Sequence, residues 1–342
     1  MDWLLKTFFT LWLRGRTFLN KLLSKPTAAP GPLFLKGEKI YLPFLKGANL
    51  PWLCYGSDFG ANAWSPDGGV GKPENRKDLH RIFQELNKRG IHTVRWFLLC
   101  DGRAGINFTT AGTPLGPDRH LFTDIDAALE IAAACNLKII FVLLDFLWFG
   151  KAALVNGVQV RGRGGVISSA YKQRALRRKI LKPLLKRYGR SPVILAWDIV
   201  NEPEWATQGC GGVSGTALAF LAMRRFIKKT ARLVHSHTRQ LVTVGLGNAA
   251  GLPLVRDTGL DFYQVHWYDR WDAVAPLDRP VPEWNLDLPL LLGEFPTKNS
   301  ARRPEAIVEA SKKSGYCGAL AWSLLGTDRC SDIDLDSEDT LG

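Results

Sequence analysis

Short apolar runs recur at regular intervals along most of this chain, and this rhythm constrains its fold more than any other feature. Between several of the runs, apolar residues recur three and four positions apart, which is the spacing of amphipathic helices. Strands that alternate with helices pair in parallel, and eight such units favour closure into a (β/α)8 TIM barrel of the α/β class. The eight apolar runs occupy residues 45–50, 93–99, 138–144, 193–200, 241–246, 262–267, 288–292 and 318–323.

Two of the helical stretches have readable ends. The first is predicted to end at Gly90, and the second to begin at a cap formed by Thr123 or Asp124. No Gly-x-Gly-x-x-Gly motif follows a predicted strand, which argues against an open dinucleotide-binding sheet. Within the long segment 149–165, the pair Asn156-Gly157 predicts a small hairpin beside the barrel mouth. The apolar face of the first helix is formed by Leu79, Ile82, Phe83 and Leu86.

Residues 1–24 form a basic amphipathic pattern, with Leu, Phe and Trp on one side of a helical wheel and Lys and Arg on the other. The longest stretch without charge is 7–13, whereas a bilayer span needs about 20 apolar residues. Three interpretations stay open: a helix lying on anionic lipid, a helix packed on the barrel, and a cleavable signal peptide. Asp2 and the interrupting Arg14 and Arg16 argue against the signal peptide.

The segment after this pattern divides the chain further. Residues 25–32 are rich in Pro and Ala and predict a linker, and 34–42 alternate around a glycine and predict a small β-hairpin. Residues 33–342 are then one catalytic domain, because barrels of this type run to about 250 residues and more as a single unit.

The formal net charge of +13 comes largely from the stretches 172–190 and 224–232. A solvated surface explains such charge, and attraction to an anionic membrane or an acidic polysaccharide is the alternative. No nucleic-acid-binding module accompanies the charge, so no nucleic-acid partner is predicted. The compartment stays open, although a membrane-associated, cell-envelope or secreted location is favoured over the cytoplasm.

The six cysteines show no Cys-x-x-Cys pair and no metal-ligand spacing. No cluster of Cys, His and Asp suggests a metal site either, so neither a metal nor another cofactor is predicted.

Reactive polar side chains occur where the predicted strands end. Because the carboxyl ends of barrel strands build one active site, these side chains are expected to converge. Two carboxylates facing one cavity indicate cleavage of a glycosidic bond, with one carboxyl protonated and the other ionised. We expect Arg95 to keep Glu294 ionised, while apolar, Trp-rich surroundings raise the pKa of Glu202. The converging residues are Arg95, Asn201, Glu202, His266, Tyr268 and Glu294.

Two further acidic residues lie close to this set. Glu204 is a rival to Glu202 as the acid, and the Asn-Glu-Pro placement favours Glu202. Asp198 lies within a buried strand and is predicted to be a structural partner of a neighbouring polar group.

Four motifs carry a family resemblance: WDIVNEP at 197–203, HWY at 266–268, GEF at 293–295 and AWS at 321–323. In this order they resemble clan A glycoside hydrolases, closest to the family 5 cellulase-like and mannanase-like enzymes. The resemblance covers roughly residues 33–325. It implies a retaining glycosidase that cleaves β-linked poly- or oligosaccharide through a covalent glycosyl-enzyme intermediate.

The resemblance also implies individual roles. Glu202 would be the acid/base and Glu294 the nucleophile, with Arg95 and Tyr268 donating hydrogen bonds to Glu294. Asn201 would bind the sugar 2-hydroxyl. Further supporting roles fall to His266, which would shape the same subsite, and to Trp322, which would stack under the sugar.

The third strand departs from the family pattern, because Asp145 and Trp148 stand where a substrate-contacting His is common. We expect both residues, with Trp64 and Trp205, to line or support the glycan subsites. Trp197 and Trp267 are predicted to serve packing instead. Two alternatives stay open: a transglycosylase that passes the intermediate to a sugar acceptor, and a noncatalytic glycan-binding protein.

Overall fold

The computed structural model describes residues 43–210, 217–270, 277–326, 328–333 and 335. The predicted helix at 1–24, the linker at 25–32 and the hairpin at 34–42 lie outside the described residues, so the domain boundaries stay a prediction. Within the described ranges, no helix combines the length and apolar content that a bilayer span requires.

A parallel sheet forms the centre of the molecule, in the order β10-β11-β12-β13-β1-β2-β5-β8-β9. Two of these strands, β9 and β10, flank Val244 and continue one another, so the two ends of the sheet meet as a barrel of eight. This confirms the predicted (β/α)8 fold. The strands, numbered in chain order, are β1 (Leu45–Leu50), β2 (Thr93–Phe97), β3 (Ile106–Phe108), β4 (Pro114–Pro117), β5 (Lys138–Val142), β6 (Ala153–Val155), β7 (Val158–Val160), β8 (Ile194–Asp198), β9 (Leu241–Thr243), β10 (Gly245–Leu246), β11 (Tyr263–His266), β12 (Leu290–Pro296) and β13 (Gly318–Trp322).

Each predicted apolar run overlaps a barrel strand, and the largest difference concerns β12. The prediction ended at 292, whereas the strand continues through Glu294 to Pro296. Its pairing register shifts between Leu292 and Phe295, where the apolar run is interrupted by Gly293 and Glu294. A shift of this kind re-aims a side chain, and here it accompanies a carboxylate at the barrel mouth.

The strands β6 and β7 form the predicted hairpin around Asn156-Gly157. A second antiparallel pair, β3 with β4, lies in the loop that follows β2. The α-helices are Pro73–Lys88, Leu121–Ala134, Gly165–Ser168, Ala170–Leu176, Lys182–Tyr188, Phe220–His237, Leu252–Val255 and Pro304–Lys313. Short 3-10 turns occupy Phe146–Phe149, Pro203–Ala206, Ala249–Gly251 and Val281–Trp284, and a π-helical turn occupies Arg177–Leu181.

The helix Leu121–Ala134 corrects one prediction. Its N-cap is His120, three or four residues earlier than the predicted cap, and Asp124 lies inside its first turn. The Asp124 carboxylate instead accepts hydrogen bonds from the backbone N–H groups of Gly60, Gly69 and Gly71, which belong to the loop after β1. An Asp side chain can accept hydrogen bonds from backbone N–H groups of a distant loop as readily as from those of its own helix. Sequence periodicity does not tell which of these two sets of donors it binds.

The pleat of the strands divides the core. Asn49, Arg95, Ile140 and Ala196 are successive register partners, so their side chains share one face of the sheet, which is the barrel interior. Trp96, Phe141 and Trp197 occupy the other face and pack with the helices. Trp197 and Trp267 are both buried, as predicted for packing residues.

Candidate active site

The predicted reactive residues meet at the carboxyl ends of the barrel strands. Arg95 lies on β2, Glu202 follows β8, His266 ends β11 and Glu294 lies on β12. One side-chain nitrogen or oxygen atom from each of Glu202, His266 and Glu294 falls within 4.8 Å of the other two. The two carboxylates therefore face one another across a gap of the width that a single glycosidic bond requires.

Arg95 lies beneath this pair and donates hydrogen bonds to four surrounding side chains, and its own side chain is fully buried. Its Nη1 donates to Oε1 of Glu294 at 2.7 Å and to Oδ1 of Asn49 at 3.0 Å. Its Nη2 donates to Oδ1 of Asn201 at 2.7 Å, and Nε and Nη2 both donate to Oδ2 of Asp198, at 3.0 and 2.9 Å. A planar guanidinium that bonds two carboxylates and two amides fixes their positions together.

The layer around Arg95 contains residues that sequence reasoning missed as part of the site. Asp198, predicted to be structural, accepts a third hydrogen bond at Oδ2 from Nε2 of Gln264 at 2.9 Å. Gly245 must be a glycine, because a Cβ there would lie 2.6 Å from Nη2 of Arg95. The available signal was the polar character of Asn49 and Gln264, which interrupt otherwise apolar strands that are buried on both faces.

Glu294 is held from three sides. Besides the Arg95 bond to Oε1, the hydroxyl of Tyr268 donates to Oε2 at 2.8 Å, and Nδ1 of His266 lies 3.4 Å from Oε2. Burial raises the pKa of Glu294, while the charge of Arg95 and the Tyr268 hydrogen bond lower it. Arg95 therefore acts in the expected direction, but burial opposes it and the net direction is upward.

Glu202 has a left-handed backbone, with φ 46° and ψ 48°, immediately before Pro203. A non-glycine residue in this region costs about 1 kcal/mol or more, and such residues concentrate at functional sites. The backbone N–H of Glu202 donates to the carbonyl oxygen of Gly245 at 2.7 Å, which links the turn after β8 to the neighbouring strand. The strained turn aims the Glu202 side chain toward the barrel mouth.

The carboxyl group of Glu202 contacts neutral donors. Nε1 of Trp205 donates to Oε2 at 3.0 Å, and Nδ1 of His266 lies 2.8 Å from Oε1. Burial raises the pKa of Glu202 to about 7, against the lowering effects of the Arg95 charge and the Trp205 hydrogen bond. At neutral pH this carboxyl group is therefore poised to hold or release a proton.

His266 is neutral at physiological pH, because burial lowers its pKa to about 4. The atom that faces both carboxyl groups is Nδ1, so the tautomer with its proton on Nδ1 fits the site. Nε2 is buried and has no hydrogen-bond partner among the described residues. The imidazole thus acts as an uncharged bridge between Glu202 and Glu294.

Glu202, His266 and Glu294 are also close enough together to hold a metal ion. A metal at Nδ1 of His266 would displace the proton that faces the carboxyl groups. The Arg95 guanidinium, 2.7 Å from Glu294, would repel a second cation. The chemistry of these donors therefore suits proton transfer and nucleophilic attack better than metal binding.

Asn201 is oriented at both ends of its amide group. Oδ1 accepts from Arg95, and Nδ2 donates to Oδ2 of Asp145 at 2.8 Å. Asp145 also accepts from the backbone N–H of Leu147, and it is only 4% exposed. Asp145 therefore supports Asn201 from behind, and one N–H of the amide is left for a ligand.

Glu204 is the rival carboxylic acid, and it lies deeper than Glu202. Glu204 is 3% exposed, whereas the side chain of Glu202 is 18% exposed. Burial raises the pKa of Glu204 to about 8. Its Oε2 has no partner among the described residues, and Oε1 accepts a long 3.4 Å bond from the backbone N–H of Asn248. Glu204 is thus a buried neutral acid, and Glu202 is the carboxyl group that reaches the mouth.

Two cavities flank the carboxylates. One, of about 310 Å³, lies beside β13 and is lined by Trp52, Tyr55 and Trp322 among others. Trp322 is half-buried, and its Nε1 donates to Asp328 at 2.9 Å. The other cavity, of about 270 Å³, lies beside the end of β11 and is lined by Tyr268. Neither cavity is lined by Glu202 or Glu294 themselves. Because β12 with Glu294 lies between β11 and β13, the two cavities lie on either side of the strand that carries Glu294.

The remaining predicted tryptophans divide between the site and the core. Trp205 contacts Glu202 directly. Trp64 does not line the Trp322 cavity, but its ring contacts Arg103, which also contacts the ring of the cavity residue Tyr55.

The prediction that Trp148 lines a glycan subsite is wrong. Trp148 is 0% exposed, and its Nε1 donates to the backbone carbonyl of Leu99. The 3-10 turn Phe146–Phe149 folds its indole inward beneath the loops, because this large apolar ring gains more from burial than from solvent contact.

Comparison with known proteins gives relatives of one kind. No family model matches the chain. A curated mannan endo-1,4-beta-mannosidase of Mytilus edulis is 27% identical over 320 residues, which cover 82% of this chain and 83% of that protein. A second, from Cryptopygus antarcticus, is 24% identical over 94% of this chain and 89% of its own length. The crystal structure of endo-1,4-beta-mannanase from Eisenia fetida superposes with a TM-score of 0.74 at 23% identity, covering 88% and 90% of the two chains.

Two facing carboxylates at the carboxyl ends of the barrel strands supply the acid and the nucleophile of an O-glycosidase, and the relatives are named as enzymes of this class, so the chain is an O-glycosidase. These relatives confirm the resemblance to clan A glycoside hydrolases, closest to family 5, that the motifs predicted. The predicted hydrolysis of a β-linked polysaccharide agrees with the activity for which these relatives are named.

Proposed function

We propose that the protein is an endo-acting β-1,4-mannanase in which Glu202 is the general acid/base and Glu294 is the nucleophile. The contrast between the two carboxyl groups supports this assignment of roles. Glu294 accepts hydrogen bonds from the cation Arg95 and from Tyr268, whereas Glu202 contacts the neutral donors Trp205 and His266. The carboxyl groups of inverting enzymes lie about 6.5 to 9.5 Å apart, and an approach of the Glu202 and Glu294 oxygens to within 4.8 Å favours the shorter separation of retaining enzymes.

The reaction follows from these environments. A carboxylate oxygen of Glu294 attacks the anomeric carbon while Glu202 transfers its proton to the glycosidic oxygen, and the leaving sugar departs as an alcohol. Glu202, now ionised, accepts a proton from water, whose oxygen displaces Glu294 and releases the second sugar. Arg95 stabilises the negative charge that returns to Glu294.

The side chains around the carboxylates have the chemistry to hold a sugar. Asn201 offers a fixed amide N–H, with Asp145 behind it, and His266 offers a neutral ring beside the reacting bond. The half-buried indole of Trp322 provides a flat apolar surface for a sugar face. Trp205 contacts Glu202, and Trp64 packs with Arg103, which also contacts Tyr55 of the Trp322 cavity.

Two observations favour mannan and attack within the chain. The curated relatives are named mannan endo-1,4-beta-mannosidases, and they align over most of this chain. The cavities beside Trp322 and Tyr268 lie on either side of the strand that carries Glu294, which is the placement that sugar units on both sides of a cleaved bond require.

The test is hydrolysis of β-1,4-mannan alongside β-glucan and xylan, with size analysis of early products. We expect mannan to be cleaved fastest, with a fall in mean chain length before free mannose accumulates. Glu294→Gln should abolish turnover, and Glu202→Ala should lose it with partial rescue by added azide. The matched control is Glu283→Gln, an exposed site with a side chain 61% accessible. Undiminished cleavage by Glu294→Gln would reject the roles, and preferred cleavage of another polymer would reject the substrate.

We also propose that residues 1–24 bind an anionic membrane surface. Their sequence combines Lys and Arg with Trp, Phe and Leu, which suits a helix in the lipid interface. Replacing Lys6, Arg14, Arg16 and Lys21 by Glu in the full chain should reduce binding to anionic vesicles. Unchanged binding by this variant would reject the idea.

A further inference from the structure

The charge of this protein is concentrated in one part of the chain. Of its 45 Lys and Arg residues, 19 lie between residues 146 and 256, together with only three of its 32 Asp and Glu residues. Those three acids, Asp198, Glu202 and Glu204, belong to the barrel interior and the active site. The outer surface of this part of the barrel is therefore free of acidic side chains within its own sequence, and the excess charge of the whole protein resides there.

Two neighbouring segments of the barrel wall carry most of these cations. One runs from Ala170–Leu176 through the π-helical turn Arg177–Leu181 to Lys182–Tyr188, and the other is Phe220–His237. Helices Lys182–Tyr188 and Phe220–His237 pack against each other, so their outward faces form one surface, which we call the basic wall. Its exposed cations are Arg174, Arg178, Lys179, Lys182, Lys186, Arg187, Arg190, Arg225, Lys228, Lys229 and Arg232.

Several of these cations are spaced so that they repel one another in the isolated protein. On Phe220–His237, Arg225 lies four residues before Lys229 and Lys228 four before Arg232, and like charges at this spacing destabilise a helix. Acidic partners occur only at the two edges among the described residues. There Asp126 accepts from Arg187 at 2.6 Å, and Asp261 lies 3.1 Å from Nε2 of His235.

The same part of the chain exposes large apolar side chains. Among the described residues, the three most exposed large hydrophobics are Leu154, Tyr171 and Leu221, at 74%, 71% and 60%. Tyr171 and Leu221 are the second residues of their helices, and Leu154 lies on β6 in the loop after β5. All three lie at the end of the barrel where the strands finish, because barrel helices begin there.

From this combination we infer that the basic wall is a docking surface for an anionic lipid bilayer. Cations beside projecting Leu and Tyr side chains suit lipid headgroups over an apolar interior, whereas a soluble polyanion gains nothing from the apolar residues. The wall follows β5 and β8, on the side of the barrel opposite β12 and β13. Docking would therefore leave the cavity beside Trp322 open to a polysaccharide.

The test is sedimentation of the full chain with vesicles of phosphatidylcholine alone or mixed with phosphatidylserine. We expect binding only to the mixed vesicles, weakening as salt is added. Changing Lys182, Lys186, Lys228 and Arg232 to Glu should weaken binding by about tenfold or more. The control changes Lys77, Lys88, Lys312 and Lys313 to Glu, four exposed sites outside the wall that alter net charge equally. Equal loss in both variants would reduce the effect to net charge and overturn the assignment.

Substitution of the exposed apolar residues distinguishes binding to lipid from binding to other polyanions. Changing Leu154, Tyr171 and Leu221 to Ser should weaken vesicle binding severalfold and leave retention on dextran sulfate unchanged. Wild-type vesicle affinity in that variant would overturn the lipid assignment.

Docking by the basic wall can be measured separately from membrane binding by residues 1–24 and from catalysis. The comparison is repeated with Lys6, Arg14, Arg16 and Lys21 changed to Glu, where the wall variant must still bind less than its control. Hydrolysis of soluble polysaccharide is expected to be equal in all variants, which reports that each one folds. Loss of vesicle binding with intact hydrolysis therefore concerns the wall alone.

Discussion

Nε1 of Trp205 donates a 3.0 Å hydrogen bond to Oε2 of Glu202, its neighbour three residues earlier in the same turn. This bond stabilises the ionised carboxylate and opposes the burial that raises the pKa of Glu202 to about 7. The protonation of Glu202 is therefore set by burial on one side and by the Arg95 charge and one indole N–H on the other.

Replacing Trp205 by Phe removes the donor and keeps most of the ring. We expect the pKa of Glu202 to rise by roughly 0.5 to 1, because a neutral hydrogen bond contributes about 1 kcal/mol. Since the proposed acid must be protonated, the alkaline limb of the kcat/KM profile should move to higher pH. Trp284→Phe, in a distant 3-10 turn, is the control. A limb that stays in place would show that Glu202 does not govern it.

Replacing Arg95 by Met should both destabilise the barrel and abolish turnover. The change leaves Asp198 and Glu294 buried without their cation, and breaking a buried pair in this way costs about 3 to 5 kcal/mol. Urea unfolding measures the stability, and assays below the unfolding midpoint measure the activity. Arg95→Lys keeps the charge but not the planar fork, so it should recover more stability than turnover. An Arg95→Met variant as stable as wild type would show that Arg95 does not stabilise the buried Asp198 and Glu294.

Trp148 and Trp322 provide a matched pair of substitutions. Trp148→Ala should lower the free energy of unfolding by about 3 to 5 kcal/mol, because the buried indole leaves a cavity. Trp322→Ala should cost far less stability, since its ring is half exposed, and should raise KM and lower kcat. Thermal unfolding and steady-state kinetics separate the two effects. A weakly destabilised Trp148→Ala variant with poor substrate binding would restore Trp148 to the subsite.

Glu204 predicts a pH dependence of stability. Its folded pKa of about 8 lies well above the ordinary value of 4.5, so the folded protein holds a proton that the unfolded chain releases. The protonated Glu204 therefore contributes fully to the free energy of unfolding below pH 4.5, and this contribution is lost as pH rises through about 8.

Glu204→Gln mimics the protonated form, so its urea midpoint should fall less than that of wild type between acidic and mildly alkaline pH. Parallel curves for the two proteins would show that Glu204 ionises freely in the folded state. Glu283→Gln, at an exposed side chain, serves again as the control.

The sequence by itself determined the barrel and the position of the two carboxylates. Each apolar run became a strand because a parallel strand buried on both faces is a local pattern of four to eight residues. The motifs at 197–203 and 293–295 follow directly from strand ends, and strand ends in a barrel share one edge. Glu202 and Glu294 could therefore be paired before any coordinates were known.

Tertiary structure decided how deep each side chain lies and which partner it finds. Trp322 is the last residue of β13 and Trp148 follows β5 closely, yet the loop path buries Trp148 whereas Trp322 stays at the mouth. Contacts between distant segments pair Asn49 with Arg95, Gln264 with Asp198, and Asp124 with a loop more than fifty residues away. Periodicity reports which face of an element is apolar, whereas burial and hydrogen-bond partners depend on what the rest of the chain places against that face.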